Sequence, residues 1–181
     1  MALELSNPNF RWASVLLDCL QGVFVEGVVD YATPGSFCMR ANEAPITDDM
    51  DPLTGEDLCC DGLGWVRIGN TYPSSNFPEP AVDGIKCFPT GWALELEAGL
   101  LRCYVPAGQE HMASCEQHTD NAIADAMAIR ILQEVACCFG REFERQRPGR
   151  PWFVQGITVN GPRGNCIDRT MNILISTPKC C

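Results

Sequence analysis

The chain has 181 residues, of which 46% are hydrophobic and 20% charged, which is enough apolar material for the core of one domain. Its net charge of -10 disfavours sequence-independent binding to the DNA backbone, and no apolar run approaches the roughly 18 residues that a membrane span needs. The N-terminus lacks the basic start and apolar run of a signal peptide, so we expect synthesis in the cytosol and no membrane partner.

The first third of the chain predicts a helix, a strand and a long irregular segment. Apolar residues recur at helical spacing from Asn9 to Leu20, and Gly22 is expected to end that helix. The β-branched residues of 23–29 predict a strand. Residues 32–62, which we call the arm, are rich in turn formers and lack periodicity. We interpret the arm as an extended loop that orders against a neighbouring subunit.

Two strands and a turn are predicted in the middle of the chain. Residues 64–70 alternate as a strand, whereas the prolines of 71–80 predict a turn and exclude a central strand. Residues 91–105 form the clearest strand pattern, with a bulge expected at Ala98-Gly99. Apolar side chains occupy one face of it, and Glu95 and Glu97 are expected on the solvated face rather than in a paired-carboxylate site.

A long helix and a hairpin complete the pattern. Ser114 begins a capping box, apolar residues recur at helical spacing from Ile123 to Val135, and Gly140 is expected to end a helix of about 25 residues. Runs over 152–159 and 170–176 then predict two strands joined by a glycine-containing turn. The expected fold is α+β in one domain, 1–181: a mainly antiparallel sheet packed by one long helix and a short N-terminal helix, with long loop insertions.

Twelve cysteines are many for a cytosolic chain, yet no Cys-x-x-Cys occurs, so the usual zinc-ribbon and thioredoxin signatures are absent. Adjacent cysteines rarely bridge each other, so each member of a pair is expected to reach a different partner. The candidates for disulfides or cross-links are Cys59, Cys60, Cys87, Cys103, Cys115, Cys137, Cys138, Cys166, Cys180 and Cys181. The alternative is that most cysteines serve as small buried hydrophobes.

Sequence motifs that would indicate a catalytic, cofactor or metal site are weak. His111, Cys115 and His118 have a spacing that could ligate zinc, but we interpret them as a solvated helix entrance. The acidic run 48–51 lacks the ligand spacing of a calcium loop. No nucleophile elbow, phosphate loop or dinucleotide motif occurs, and no local motif pairs a cysteine with a histidine. We therefore predict no catalytic residue, cofactor or metal site, and we interpret the arginine-rich 141–150 as a solvated helix end.

Two segments resemble head-to-tail connector proteins of actinobacterial phages. Residues 63–78, with Trp65-Val-Arg67 and a Tyr-Pro…Phe-Pro turn, resemble one motif of those proteins. Residues 92–103, Trp-Ala-Leu-Glu-Leu…Arg-Cys, resemble a second. Cys115-Glu-Gln117, Cys137-Cys138 and the late glycine-rich turn before Cys166 also fit. The order of elements is similar to the tail terminators of long-tailed phages, although the arm is longer than expected.

The resemblance implies a structural virion protein without catalysis. It implies a ring, expected to be hexameric, that terminates the tail tube at the head–tail junction. The implied partners are further copies of the chain, the tail tube protein and a head-closure (stopper) or connector protein, while DNA passes through the lumen without specific binding. The alternatives are another neck-ring component, such as an adaptor or stopper, or a cysteine-dependent or metal-dependent enzyme.

Overall fold

The computed structural model describes residues 8–25, 31–40, 62–81, 91–103, 115–163 and 166–177. In chain order they form α1 (Pro8–Val25), β1 (Ser36–Arg40), β2 (Leu63–Ser74), β3 (Gly91–Cys103), α2 (Cys115–Gln146), β4 (Trp152–Arg163) and β5 (Cys166–Thr177). The predicted α+β class is confirmed, because two helices accompany a five-stranded, mainly antiparallel sheet. Neither of these helices has the length and apolar character of a transmembrane span.

The sheet has the strand order β1-β2-β3-β5-β4. Only β1 and β2 run parallel; the other neighbouring strands are antiparallel, and β4 and β5 form the predicted hairpin. Alternation along β3 is as expected, since Leu94 and Leu96 join the main core. Because Glu95 and Glu97 alternate with them, these carboxylates lie on the opposite face of the sheet.

Both helices pack on one face of the sheet. α1 contacts β1, β2 and β3, whereas α2 contacts β3, β5 and β4. The two helices also contact each other, so a single core lies between the helix layer and the sheet. Its largest members that are completely or almost completely buried are Leu16, Leu20, Leu94, Leu96, Leu100, Ile131, Leu132, Phe139, Phe143, Met171 and Ile173.

Two glycines predicted to end helices lie inside them instead. α1 continues past Gly22 to Val25, so the start of the strand predicted over 23–29 is wrong, and 26–30 lie outside the described residues. α2 continues past Gly140 to Gln146, giving 32 residues rather than the expected 25 or so. Gly140 is needed because a Cβ there would lie 2.3 Å from Cζ2 of Trp152. Tertiary packing therefore explains a glycine that sequence spacing interpreted as a helix stop.

The first turns of α2 lie outside the core. Ile131 and Val135 of the predicted apolar stripe are completely buried, but Ile123 is 49% exposed. Met127 is only partly buried. A helix of this length spans about 48 Å, which is longer than strands of 12 or 13 residues.

Two of the predicted irregular segments contain strand. The arm (32–62) includes β1, which lies at one edge of the sheet, and 41–61 are outside the described residues. The predicted turn over 71–80 begins too early, since β2 extends through Pro73 to Ser74. β1 pairs only with the 63–67 part of β2, so Pro73 needs no N–H for a ladder on that side.

The bulge expected at Ala98-Gly99 is also wrong. β3 keeps its register with both neighbours through these residues, and the irregularity lies in β2 between Ile68 and Thr71. Gly99 has a different role: a Cβ at this position would lie 2.3 Å from Cε2 of Trp65. The glycine lets the indole pack closely against the backbone of β3.

Candidate functional site

A disulfide joins the two helices. Cys19 of α1 and Cys138 of α2 are bonded, with 5.8 Å between their Cα atoms and a sequence separation of 119. The helices are antiparallel here, because Arg11 near the start of α1 donates to Gln146 at the end of α2. Cys138 was among the predicted cross-link candidates, whereas Cys19, which lies within the apolar helical pattern of 9–20, was not. No local signal distinguishes the two roles, because a core-facing position is also where a neighbouring helix approaches.

The adjacent residue Cys137 has a different environment. Its thiol is free and exposed, as is the thiol of Cys115 at the start of α2. The two lie on the same side of α2, since 22 residues bring a helix back to within about 40° of the starting direction. Cys38 on β1 is free and half-buried, and burial raises the pKa of its thiol although Arg40 opposes the shift. Cys115 and Cys137 are therefore the described thiols that are most open to a neighbouring molecule.

The other candidate cysteines are less completely described. Cys166 is buried and disulfide-bonded, and Cys103 is its backbone partner across the β3–β5 ladder. Cys59, Cys60, Cys87, Cys180 and Cys181 lie outside the described residues. In the described part of the chain, no group of three or more His, Cys, Asp or Glu side chains is placed to hold a metal ion. His118 is exposed on α2 close to Cys115, and both His111 and the acidic run 48–51 lie outside the described residues.

The sheet face opposite the helices carries a partly buried ion pair. Nε and Nη2 of Arg67 on β2 donate to the two carboxylate oxygens of Glu97 on β3, at 2.7 Å each. Glu97 is 8% exposed, so its prediction as part of a solvated face is wrong. Glu95 is only partly buried and accepts a bond from the backbone N–H of Asn70. The two glutamates thus have separate hydrogen-bond partners.

A second polar network on that face surrounds Asp168 of β5. Its carboxylate accepts hydrogen bonds from Nε1 of Trp65 at 3.2 Å, from Oγ1 of Thr170 at 2.7 Å and from Nδ2 of Asn160 at 3.3 Å. Burial nevertheless raises the pKa of Asp168, and it outweighs the three hydrogen bonds and the nearby Arg169, which lower it. The network joins β2, β5 and β4, so it sets the positions of three strands rather than leaving a carboxylate open to substrate.

On the helix face, two arginines hold the first half of α2 against the sheet. Nη2 of Arg102 on β3 lies 2.5 Å from one carboxylate oxygen of Asp125, and Arg169 on β5 pairs with the other oxygen. Arg102 also donates to the side chain and the backbone carbonyl of Asn121. Sequence reasoning missed this cluster; the only signal was an arginine at an inward-facing position of each strand. Its two ion pairs act as a polar anchor for an otherwise exposed stretch of helix.

A groove of about 410 Å³ lies between the two helices on their outer side, along the disulfide. Val15, Gly22 and Val23 provide apolar lining, and the charged lining residues are Asp18, Glu134, Arg141 and Glu142. Acidic groups thus outnumber basic ones by three to one. The two cysteines among its described lining residues are bonded to each other, so neither is a free thiol.

The described part of the sheet also has an open edge, formed by β4. Among the described residues, β4 pairs with β5 alone, so its other side has no strand partner. Irregularities follow Val154 and Asn160, which leaves the regular stretch 156–160 between them. Val159 in that stretch is 54% exposed. An exposed strand edge with an apolar side chain is suited to pairing with another chain.

Comparison of this chain with protein-family models and with curated proteins finds no match.

Proposed function

We propose that this chain is a structural virion subunit that forms a ring at the head–tail junction of a long-tailed phage, where it terminates the tail tube. The observation that carries the proposal is the open edge of β4, with an exposed valine in a five-residue regular stretch. A ring subunit needs two different surfaces that match each other, because the contact between successive copies is heterologous. In this proposal, the two edges of the sheet, β1 and β4, provide these surfaces.

The directions of the edge strands suit this contact. β1, at the opposite edge, has 5 residues and runs antiparallel to β4 in the overall order of the sheet. Pairing β4 of one copy with β1 of the next would therefore add an antiparallel ladder and continue the sheet around a ring. The irregularities in β4 limit the ladder to about five residues, so side chains must supply the remaining affinity.

The segments that resemble phage connector proteins support a structural role. The first resembling segment provides Trp65 and Arg67 of β2, and the second provides Glu97 and Gly99 of β3. Trp65 lies on Gly99, and Arg67 pairs with Glu97. The residues that carry the resemblance thus form one packing unit across two paired strands. The packing contacts explain these residues by a role in folding, without a catalytic role. This supports the proposal that the protein is not an enzyme.

The proposed partners follow from a ring in a virion neck. Copies of the chain contact each other laterally, the tail tube protein contacts one end, and a head-closure or connector protein contacts the other. DNA would pass through the lumen without specific binding, and the net charge of -10 is compatible with this. The protein would be assembled in the host cytoplasm and retained in the virion.

Native mass spectrometry and negative-stain imaging of the purified chain test the proposal. We expect closed rings of six copies, and a chain that stays a monomer at high concentration would refute it. Val159→Lys places a charge at the open edge and should raise the protein concentration needed for ring formation at least tenfold. Gln155→Lys, at an exposed irregular position of the same strand, is the matched control and should leave assembly unchanged.

A further inference from the structure

One end of the helix pair concentrates positive charge in an acidic protein. Its five arginines are Arg11, Arg141, Arg145, Arg147 and Arg150, and all five are exposed. We call them the arginine tip. They are five of the 13 basic residues of a chain whose net charge is -10. The rest of the described helix surface carries no comparable cluster of basic side chains. The arginine tip is therefore the strongest basic feature of the described residues.

The backbone of the tip is held by a closed turn. After α2 ends at Gln146, the N–H of Arg147 donates to the carbonyl of Phe143 at 2.7 Å. The N–H of Arg150 donates to the carbonyl of Arg147 at 3.1 Å. Gly149 has a φ of 74°, which the turn requires. A bond from Ser176 to the carbonyl of Pro151 joins the turn to β5, so the arginines are presented on an ordered surface.

Among the described residues, Arg145 pairs with a carboxylate and Arg11 with the amide of Gln146, whereas the other three guanidinium groups have neither kind of partner. Glu142 is engaged with Arg145 at 2.5 Å, and Glu144 accepts a hydrogen bond from Trp152. Arg141, Arg147 and Arg150 form no ion pair with the part of the chain that the structure describes. Arginines at a helix C-terminus also favour the helix dipole, but that effect is confined to the last turn. The dipole effect therefore explains the presence of Arg145 in the last turn. It does not explain Arg150, which lies beyond the end of the helix.

We infer that the arginine tip docks onto the acidic part of the arm, 41–61, of a neighbouring copy of this chain. That stretch of sequence contains seven acidic residues and no lysine or arginine. Charge complementarity of this kind steers association and selects the partner. The inference rests on the proposed ring and deepens it, because it names a second lateral contact beside the sheet edges. It also gives the unusually long arm a role between subunits.

The helix groove beside the tip does not suit the same acidic segment. Three carboxylates, from Asp18, Glu134 and Glu142, line it against the single guanidinium of Arg141. An acidic segment would be repelled there and attracted to the exposed turn that bears Arg147 and Arg150. DNA is a second polyanion that the tip could contact, but the overall charge of -10 opposes its approach.

Charge reversal in the full-length chain tests the inference. The tip-reversed variant carries Arg141→Glu, Arg147→Glu and Arg150→Glu, and the arm-reversed variant carries Asp48→Lys, Asp49→Lys and Asp51→Lys. Each alone should need at least tenfold more protein than the native chain to form rings. Mixed in equal amounts, the two should assemble like the native chain, because each tip then meets an arm of opposite charge in alternate positions. Arg130→Glu, which reverses an exposed charge elsewhere on α2, should have no effect.

Each other outcome contradicts the inference in a recognisable way. If the native chain forms rings and both reversed variants assemble normally, the tip–arm contact is wrong while the ring proposal stands. If the variants are defective but mixing does not restore assembly, the tip does not bind the arm. If the tip-reversed variant assembles normally but loses retention of a double-stranded DNA oligonucleotide, the partner is nucleic acid. A native chain that never assembles would refute the proposed function itself.

Discussion

Cys19 and Cys138 join α1 to α2 across 119 residues of sequence, at the centre of the antiparallel helix pair. The bond closes most of the chain into one loop, so its largest effect is on the unfolded state. α1 packs on one half of the sheet and α2 on the other. The disulfide therefore connects the two halves of the helix layer, beyond the apolar contacts that they share.

Replacing Cys19 by serine should lower the free energy of unfolding by about 2–5 kcal/mol, because the unfolded chain regains the freedom that the disulfide removes. Chemical denaturation of the native chain with and without a reductant should give at least this difference, because the reductant also breaks the disulfide of Cys166. Cys137→Ser is the control, since it removes the exposed free thiol next to Cys138 and should change stability little. Equal stability of the native chain and the Cys19 variant under oxidising conditions would contradict the prediction.

The same substitution in two helical glycines should have opposite effects. Gly140→Ala should destabilise the protein by about 1–3 kcal/mol, because the new methyl group collides with the indole of Trp152. Gly22→Ala should stabilise it by up to about 1 kcal/mol, since no heavy atom lies within 4 Å of the new Cβ and alanine favours a helix. Thermal unfolding of both variants measures the difference. A stabilising Gly140→Ala would mean that Trp152 moves aside at little cost.

Removing one partner of the Arg67–Glu97 pair should be worse than removing both. Arg67→Ala leaves a carboxylate buried without its two hydrogen bonds, and we expect a loss of about 3–5 kcal/mol. The double variant with Arg67→Met and Glu97→Leu fills a similar volume without charge and should lose much less. Urea denaturation of the two variants provides the comparison, with Arg130→Ala as a surface control. Equal losses in the single and double variants would show that packing, not charge, dominates there.

Asp168 should make the protein less stable as the pH rises. Its folded-state pKa is raised above the ordinary value of 3.8, so the folded chain holds this proton over an interval in which the unfolded chain has released it. This contribution to stability is complete below the ordinary value and is lost as the pH rises through the folded-state pKa. In Asp168→Asn that titration is absent, so the free energy of unfolding of the native chain should fall relative to the variant over this interval.

Denaturation at a series of pH values, compared between the native chain and Asp168→Asn, checks this prediction. Asp18→Asn, which removes an exposed carboxylate, controls for the change in net charge. The opposite slope would mean that the hydrogen bonds from Trp65, Asn160 and Thr170 favour the ionised carboxylate by more than burial opposes it.

The sequence by itself determined the class of the fold and most of its elements. Period-two alternation identified β3, helical spacing identified α1 and α2, and the glycine-containing turn identified the hairpin of β4 and β5. These patterns are local, because each strand or helix must present one apolar face to whatever covers it. These patterns are the same whichever helix or strand packs against the apolar face.

The limits of the elements and the partners of individual side chains depended on the tertiary structure. Gly140 was interpreted as a helix end and Gly99 as a bulge, yet each makes room for a tryptophan from another element. Glu97 was expected in solvent, yet it forms an ion pair with Arg67. Nothing in the sequence around Cys19 indicated that it would be bonded to Cys138. Contacts between residues far apart in sequence decide such positions, and the composition or spacing of a single segment contains no record of them.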